Sequence, residues 1–230
     1  MPKTKRKVVS KSKRPIKDKA SSLKLKATKK TKSNNSIRVN KEAVAANEPP
    51  LFFWKESETE GGFLSPWYKS RFRVDGVMYE SVGHAIMAEK ARIFGGKEVL
   101  QLIIAAKSAE QQKIWGNNVK NFDEKRWQEE ALMIATRANM SKFSYSTKPP
   151  NLQKQLLSIG EREIVLASPS DRLFGIGFGA AEAKTTSQDQ WGQNLFGKSL
   201  DAVRRSIQQL NDPNFPAAFD KPGGKMNVYW

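Results

Sequence analysis

The chain has 230 residues, no cysteine and one histidine, and its 40 Lys and Arg against 23 Asp and Glu give a formal net charge of +17. The lack of cysteine excludes disulfides, thiolate metal sites and a thiol nucleophile, and a single histidine excludes a multi-histidine metal site. We therefore predict no metal and no cofactor, so that any catalysis rests on carboxylates, lysine, hydroxyls or water.

The basic residues are concentrated at the N-terminus. Residues 1–41 hold 16 of the 40 Lys and Arg and one of the 23 acids, a net of +15, which leaves only +2 for residues 42–230. The segment has no aromatic and few aliphatic residues, so it cannot bury enough apolar surface to offset the entropy of ordering. We predict a disordered tail over 1–42 and one domain over 43–230, with its core at about 51–210.

The composition of the tail suggests two roles. Its basic clusters are typical of a nuclear import signal or of an arm, residues 3–41, that contacts DNA or RNA without sequence preference, and a solubilising extension is the alternative. No apolar run reaches the roughly 18 to 20 residues that span a bilayer, and no secretory signal is recognisable. We expect a monomer without membrane attachment, not secreted, in the nucleus or cytoplasm.

The first half of the domain is predicted to combine short strands with helices. The aromatic run at 51–54 favours a buried strand. Two β-like runs flank Asp75-Gly76, which is a strong hairpin signal. From Ser81 the apolar period becomes helical and ends at Gly95-Gly96, and residues 97–107 form a second helix.

The second half is predicted to be mainly helical. A helix begins after Asp123 and ends near Phe143, with acids in its first turn. Further elements are a short helix at 151–158, a strand at 163–167, a short helix at 180–184 and an amphipathic helix at 199–210. The whole pattern predicts an α+β, mostly helical single domain with a small β-sheet.

Lys90 is the most interesting ionisable residue, because it lies in an apolar helix. A desolvated lysine loses its proton more readily and becomes a nucleophile toward a carbonyl or an opened sugar. The alternative is a surface lysine whose ammonium reaches solvent. Asp171 is either a carboxylate base or a turn residue, and the single histidine, His84, is expected to pack or cap.

The glycines at 175, 177 and 179 bring backbone amides close to a ligand such as a phosphate, or simply serve a loop with positive φ. Trp67, Trp115, Trp127 and Trp191 are spread through the domain. An indole face can stack on a nucleobase, but most tryptophans of a domain this size belong to the core.

A series of short motifs identifies a family resemblance. In chain order the domain resembles the NADAR family, which includes the YbiA-like bacterial proteins, and it is most similar to fungal members. The motifs are Phe52-Phe53-Trp54, Gly62-Phe63-Leu64-Ser65 with Trp67-Tyr68, Asp75-Gly76 to Tyr79, Glu89-Lys90-Ala91 with Phe94-Gly95, Phe122-Asp123 with Trp127, Lys142-Phe143, Ala167-Ser168-Pro169 with Asp171-Arg172 and Gly175-Ile176-Gly177, Trp191-Gly192 with Asn194-Leu195 and Gly197, and Val203-Arg204.

The resemblance implies a YbiA/NADAR-like fold and N-glycosidase chemistry. Its substrates would be ADP-ribosylated guanine or phosphoribosylated intermediates of the riboflavin pathway, in which the bond between ribose and a nitrogen base is cleaved. It implies catalytic roles for Lys90 and Asp171. The residues that it implies for ligand binding are Trp67, Trp127, Lys142, Phe174, Gly175, Gly177, Trp191 and Asn194.

Four positions depart from the family pattern. Gly83 and Leu166 stand where the family usually has glutamates, Phe174 replaces a tryptophan, and Asn117 replaces an arginine. Loss of a catalytic acid or base typically costs about a hundredfold or more in rate. Two hypotheses follow: an active N-glycosidase in which another acid, such as Glu80 or Glu89, compensates, and a module that binds ADP-ribose or a related nucleotide without turnover.

Overall fold

The structure is a computed structural model that describes residues 48–145 and 151–214. The predicted tail over 1–42 lies outside these ranges, so its disorder and its contact with DNA or RNA stay predictions. None of the helices within the described ranges combines the length and the apolarity needed to cross a bilayer.

The described strands form two separate pairs. β1 (Leu51–Phe53) runs parallel to β4 (Ile164–Leu166), although Phe53 and Ile164 are 111 residues apart in the sequence. β2 (Phe72–Val74) and β3 (Val77–Tyr79) form the predicted antiparallel hairpin. Its turn residues both have positive φ, 46° at Asp75 and 79° at Gly76, as a tight hairpin turn requires.

The helix predicted from Ser81 is α1 (Val82–Lys90), and the Ser81 hydroxyl caps it by accepting the amide of His84. A π-helical turn, Ala91–Gly95, extends this helical segment. The predicted end at Gly95-Gly96 is confirmed, because Gly96 adopts a non-helical φ of 74°, and a separate helix, α2 (Gly96–Ala105), follows. Single π turns of this kind frequently occur at functional sites.

One helix, α3 (Ala109–Asn117), was missed by the sequence analysis. It buries only Gln112 and Gly116, so it shows no apolar period. The residue that marks its start is the N-cap Ser108, whose hydroxyl accepts a hydrogen bond from the amide of Gln111 at 3.2 Å. Serine is a preferred N-cap residue, so it was the one sequence signal for this helix.

The remaining helices are α4 (Glu124–Tyr145), α5 (Leu152–Ser158), α6 (Ala180–Ala183) and α7 (Leu195–Leu210). The long helix α4 packs along α7 and also contacts α1 and β2, so it forms the centre of the core. The helix predicted over 199–210 begins four residues earlier, at Leu195. Asn194, in the left-handed region, marks this start. The mostly helical α+β prediction is confirmed, with two short strand pairs in place of one sheet.

Candidate functional site

Two loops that carry most of the predicted ligand residues are joined by backbone hydrogen bonds. The amide of Gly192 donates to Ile176 O at 2.8 Å, Gln193 to Arg172 O at 2.8 Å, and Phe196 to Phe174 O at 3.0 Å. A Cβ at position 192 would lie 2.4 Å from the Arg172 carbonyl oxygen. Glycine is therefore required there for the segments that contain Gly175 and Asn194 to meet.

Asp171 holds the first of these loops together. Its Oδ1 accepts the amides of Leu173 at 3.0 Å and Phe174 at 2.8 Å, and its backbone oxygen accepts the amide of Gly177 at 3.0 Å. These contacts are those of a turn residue. A catalytic role for Asp171 stays a prediction, and it must coexist with this use of one carboxylate oxygen.

The glycine amides offer less to a phosphate than the sequence suggested. The amides of Gly177 and Gly192 both donate to carbonyls of the joined loops. Gly177 adopts a φ of 77°, and the Arg172 side chain packs directly against it. The alternative prediction, glycine for a loop with positive φ, describes Gly177.

Lys90 lies in a corner of aromatic rings where three elements meet. Its ammonium nitrogen is 4.3 Å from the ring centroid of Phe122 and 5.9 Å from that of Trp127 on α4. Trp127 in turn contacts Phe174 edge-on at 6.1 Å. The structure thus brings Lys90, Trp127 and Phe174 together, and Phe122, which the sequence analysis assigned no role, completes the group.

The electrostatic environment of Lys90 is unusual for a lysine. Within the described ranges it forms no ion pair and no hydrogen bond, while burial lowers the pKa of its ammonium. Glu89 is engaged with Arg92 and Arg137, and Glu80 pairs with Arg71 at 3.2 Å. Neither acid that the sequence offered as a replacement for the family glutamate pairs with Lys90.

Trp67 lies at the other end of α1 and covers Gly83. A Cβ at position 83 would lie 2.8 Å from three carbons of the indole. The amide of Gly83 donates to Pro66 O at 2.6 Å, and the Lys113 ammonium lies 4.4 Å from the ring centroid. The indole therefore occupies the space in which the family glutamate would begin.

Lys142 lies inside the fold. Its side chain is fully buried, and its ammonium donates to Phe63 O at 2.7 Å and Ser65 O at 3.3 Å, in the loop that precedes Trp67. It is 15 residues after Trp127 on α4, about 22 Å along the helix. A direct contact between Lys142 and a ligand stays a prediction. The observed hydrogen bonds show that Lys142 holds the loop that contains Phe63 and Ser65.

Asn194 is also committed to the framework. Its side chain donates to Ile164 O at 2.9 Å and accepts the amide of Leu166 at 3.0 Å. It thereby satisfies two backbone groups of β4. Its ligand-binding role stays a prediction.

A cleft of about 360 Å³ opens between the start of α4 and the joined loops, and its lining includes sequence neighbours of Trp127 and Phe174. It is lined by Glu124, Gln128, Arg172, Leu173, Trp191, Gly192 and Gln193. Trp191 contributes a buried Nε1 that has no hydrogen-bond partner among the described residues. Glu124 places a carboxylate at the cleft and accepts a hydrogen bond from Gln128 at 3.2 Å. The sequence analysis had treated this residue only as an acid of the first helical turn.

His84 fulfils the expectation that it packs. It is buried, its Nδ1 accepts the amide of Glu80, and its Nε2 donates to Ile103 O at 2.9 Å. Burial lowers its pKa, which favours the neutral ring. Across the described residues, no group of three His, Cys, Asp or Glu is placed to hold a metal ion.

The contact between Trp67 and Gly83 predicts a strongly non-additive pair of substitutions. Gly83→Ala should gain almost 1 kcal/mol from helix propensity but lose about 1–3 kcal/mol through the collision with the indole, so it should destabilise the protein. In a Trp67→Ala background the same change should become neutral or stabilising. Urea unfolding measures both, with Gly179→Ala as the control because the nearest atom there is 3.9 Å away. Equal effects in both backgrounds would contradict this packing.

The lowered pKa of Lys90 predicts early chemical modification. Because its neutral amine is populated at lower pH than that of an ordinary lysine, reductive methylation of Lys90 should begin at lower pH than that of the exposed Lys97. Mass spectrometry of the digested protein gives both pH profiles from one sample. Coincident profiles would show that Lys90 is solvated like any surface lysine.

Comparison with known proteins gives a consistent assignment. The NADAR domain family model matches residues 52–208. The chain is 34% identical over 167 residues to "N-glycosidase R617" of Acanthamoeba polyphaga mimivirus, covering 69% of this chain and 96% of the viral protein. It is 27% identical over 124 residues to "Protein irg-1" of Caenorhabditis elegans, covering 53% and 57% of the two chains.

The fold has a counterpart among solved structures. The NMR structure of the Escherichia coli protein YbiA superposes with a TM-score of 0.56 at 20% identity, and the match covers 71% of this chain and 88% of YbiA. This likeness concerns the fold, whereas the family model spans most of the described residues. The chain therefore belongs to the NADAR family.

Proposed function

We propose that this domain hydrolyses the N-glycosidic bond between a ribose and a nitrogen base in an ADP-ribosylated or phosphoribosylated nucleobase, with Lys90 as the nucleophile. The observation that supports this proposal most strongly is the environment of Lys90. Its amine is partly buried among aromatic rings and has no ion-pair partner in the described ranges. The name of the viral relative, an N-glycosidase, agrees with this reaction class.

The chemistry follows from a neutral amine beside an opened sugar. The ribose opens when its ring oxygen takes a proton and the C1–O4′ bond breaks, which leaves C1 doubly bonded to the base nitrogen. The neutral amine of Lys90 adds to C1, and the bond between C1 and the base nitrogen then breaks as that nitrogen leaves with a proton. The resulting imine joins C1 to Nζ. Water then adds to C1 and releases the sugar and the free lysine, so the whole cycle consumes one water molecule.

We assign the proton transfers to Glu124. Glu124 precedes Trp127 by three residues on α4, so both lie on one face of the helix. It also lines the cleft with Arg172 and Trp191. A carboxylate here supports the positive charge that develops on the sugar. It can also take the proton that the Lys90 nitrogen gives up after it adds to C1 and pass that proton to the leaving base nitrogen.

A second candidate function is binding without turnover. It is favoured by the indole of Trp67, which fills the space of the family glutamate at Gly83, and by Leu166 at the second glutamate position. In this case the cleft would hold an ADP-ribosyl or phosphoribosyl ligand and release it unchanged.

Replacement of Lys90 tests the nucleophile. With an ADP-ribosylated guanine nucleotide or a phosphoribosylated aminopyrimidine as substrate, the native protein should release the free base, and Lys90→Met should abolish release because no imine can form. Borohydride added during turnover should attach the sugar to Lys90. The exposed Lys97→Met variant is the matched control and should keep full activity.

The outcomes separate the two functions. Affinity by calorimetry without product from either substrate class would favour the binding module. Absence of both binding and product would exclude both functions. Undiminished release by Lys90→Met would remove Lys90 from the mechanism while leaving the reaction class standing.

Replacement of Glu124 tests the acid. Glu124→Gln should lower kcat about a hundredfold, because the amide cannot transfer protons, and leave KM nearly unchanged. Glu129→Gln is the control, since Glu129 is exposed on the same helix but does not line the cleft. Equal rates for the two variants would assign the proton transfers to another group.

A further inference from the structure

A second pocket lies at the Trp67 end of α1 and has a marked positive rim. This basic pocket has a volume of about 430 Å³ and is lined by Trp67, Lys69, Arg71, Met78, Glu80, Ser81, His84, Ile104, Ala106, Lys107, Ala109 and Gln112. Lys69, Arg71 and Lys107 are exposed at its rim. Lys113 extends the positive surface, because its ammonium lies over the Trp67 ring.

The acids near the basic pocket do not cancel this charge. Glu80 is the one acid in its lining, and it pairs with Arg71 at 3.2 Å. Glu110 lies outside the lining, where its own amide, the Ser108 hydroxyl and then Lys113 and Lys69 lower its pKa. Four cations therefore face two acids around the pocket. This local excess stands out in a domain whose net charge over 42–230 is only +2.

The floor of the basic pocket has few polar groups left for a ligand. Both ring nitrogens of His84 are bonded within the protein, and Nε2 of Gln112 donates to Ala106 O at 3.2 Å. Met78 and Ile104 are exposed apolar side chains of the lining. Recognition is thus left to the rim cations, the indole and these apolar surfaces.

We propose that the basic pocket binds single-stranded nucleic acid through its phosphate backbone, without sequence preference. Such surfaces combine a positively charged groove with aromatic and apolar side chains against which bases pack. Here Met78 and Ile104 supply the exposed apolar surface, while the Trp67 ring packs on Gly83 and holds Lys113 over the pocket.

Because the polar groups of His84 and Gln112 are already bonded within the protein, few groups remain to form hydrogen bonds with base edges. We therefore expect no sequence preference. The aromatic and apolar components fit a polynucleotide better than an acidic peptide, which would need the cations alone. The described lining of the basic pocket does not include Lys90 or the aromatic rings around it.

The test compares two double variants of the full chain with equal charge. Lys107→Ala/Lys113→Ala removes two cations of the basic pocket, and Lys154→Ala/Lys184→Ala removes two exposed lysines elsewhere. Binding of a fluorescent single-stranded oligonucleotide is measured by anisotropy at several salt concentrations. The pocket variant should bind about tenfold more weakly, and its salt slope should fall by roughly 1.4, since each lost contact with a single strand contributes about 0.7. The control should match the native protein.

A second measurement separates the basic pocket from the tail. Photocrosslinking of the same oligonucleotide, followed by mass spectrometry, should label peptides that contain residues 67–71 or 107–113. Crosslinks confined to residues 1–41, or identical affinities and salt slopes for the two double variants, would overturn the proposal. The oligonucleotide carries no ADP-ribosyl group, so neither result depends on whether Lys90 is catalytic.

Discussion

The candidate site depends on how β4 is held. Its three residues are buried, and it pairs in parallel with β1 on one side. The Asn194 side chain binds Ile164 O and the amide of Leu166, and Gly197 allows α7 to approach Ile164 O. Because the loop after β4 is in turn bonded to the loop before α7, one amide side chain fixes the wall of the cleft that carries Trp191.

Helix α1 connects the aromatic rings around Lys90 to the basic pocket. Gly83 and Lys90 are seven residues apart, so they face nearly the same side with a separation of about 10.5 Å along the axis. At one end the missing side chain lets an indole pack on the helix backbone, and at the other an ammonium rests on the rings of Phe122 and Trp127. Desolvation of Lys90 disfavours its charge, and the ring faces offset part of that cost.

Local signals account for what the sequence could predict. The hairpin followed from Asp75-Gly76 and the helical course of 82–90 from its period, and Lys90 stood out because its helix is apolar. α3 escaped because it buries almost no apolar side chain. Two contacts could not be predicted from the sequence: the packing of Trp67 on Gly83 and the hydrogen bond from the buried Lys142 to Ser65 O. Each joins residues that only the tertiary fold brings together.

The two positions at which the family resemblance implies glutamates differ in their surroundings. At position 83 a glutamate would collide with Trp67, so it could be accommodated only if the indole moved as well. At position 166 the side chain is buried in β4, where desolvation would raise the pKa of a carboxyl and keep it protonated. A carboxylate that is ionised at neutral pH must therefore come from a solvated position at the cleft. Glu124, exposed on the first turn of α4 and in the lining of the cleft, occupies such a position.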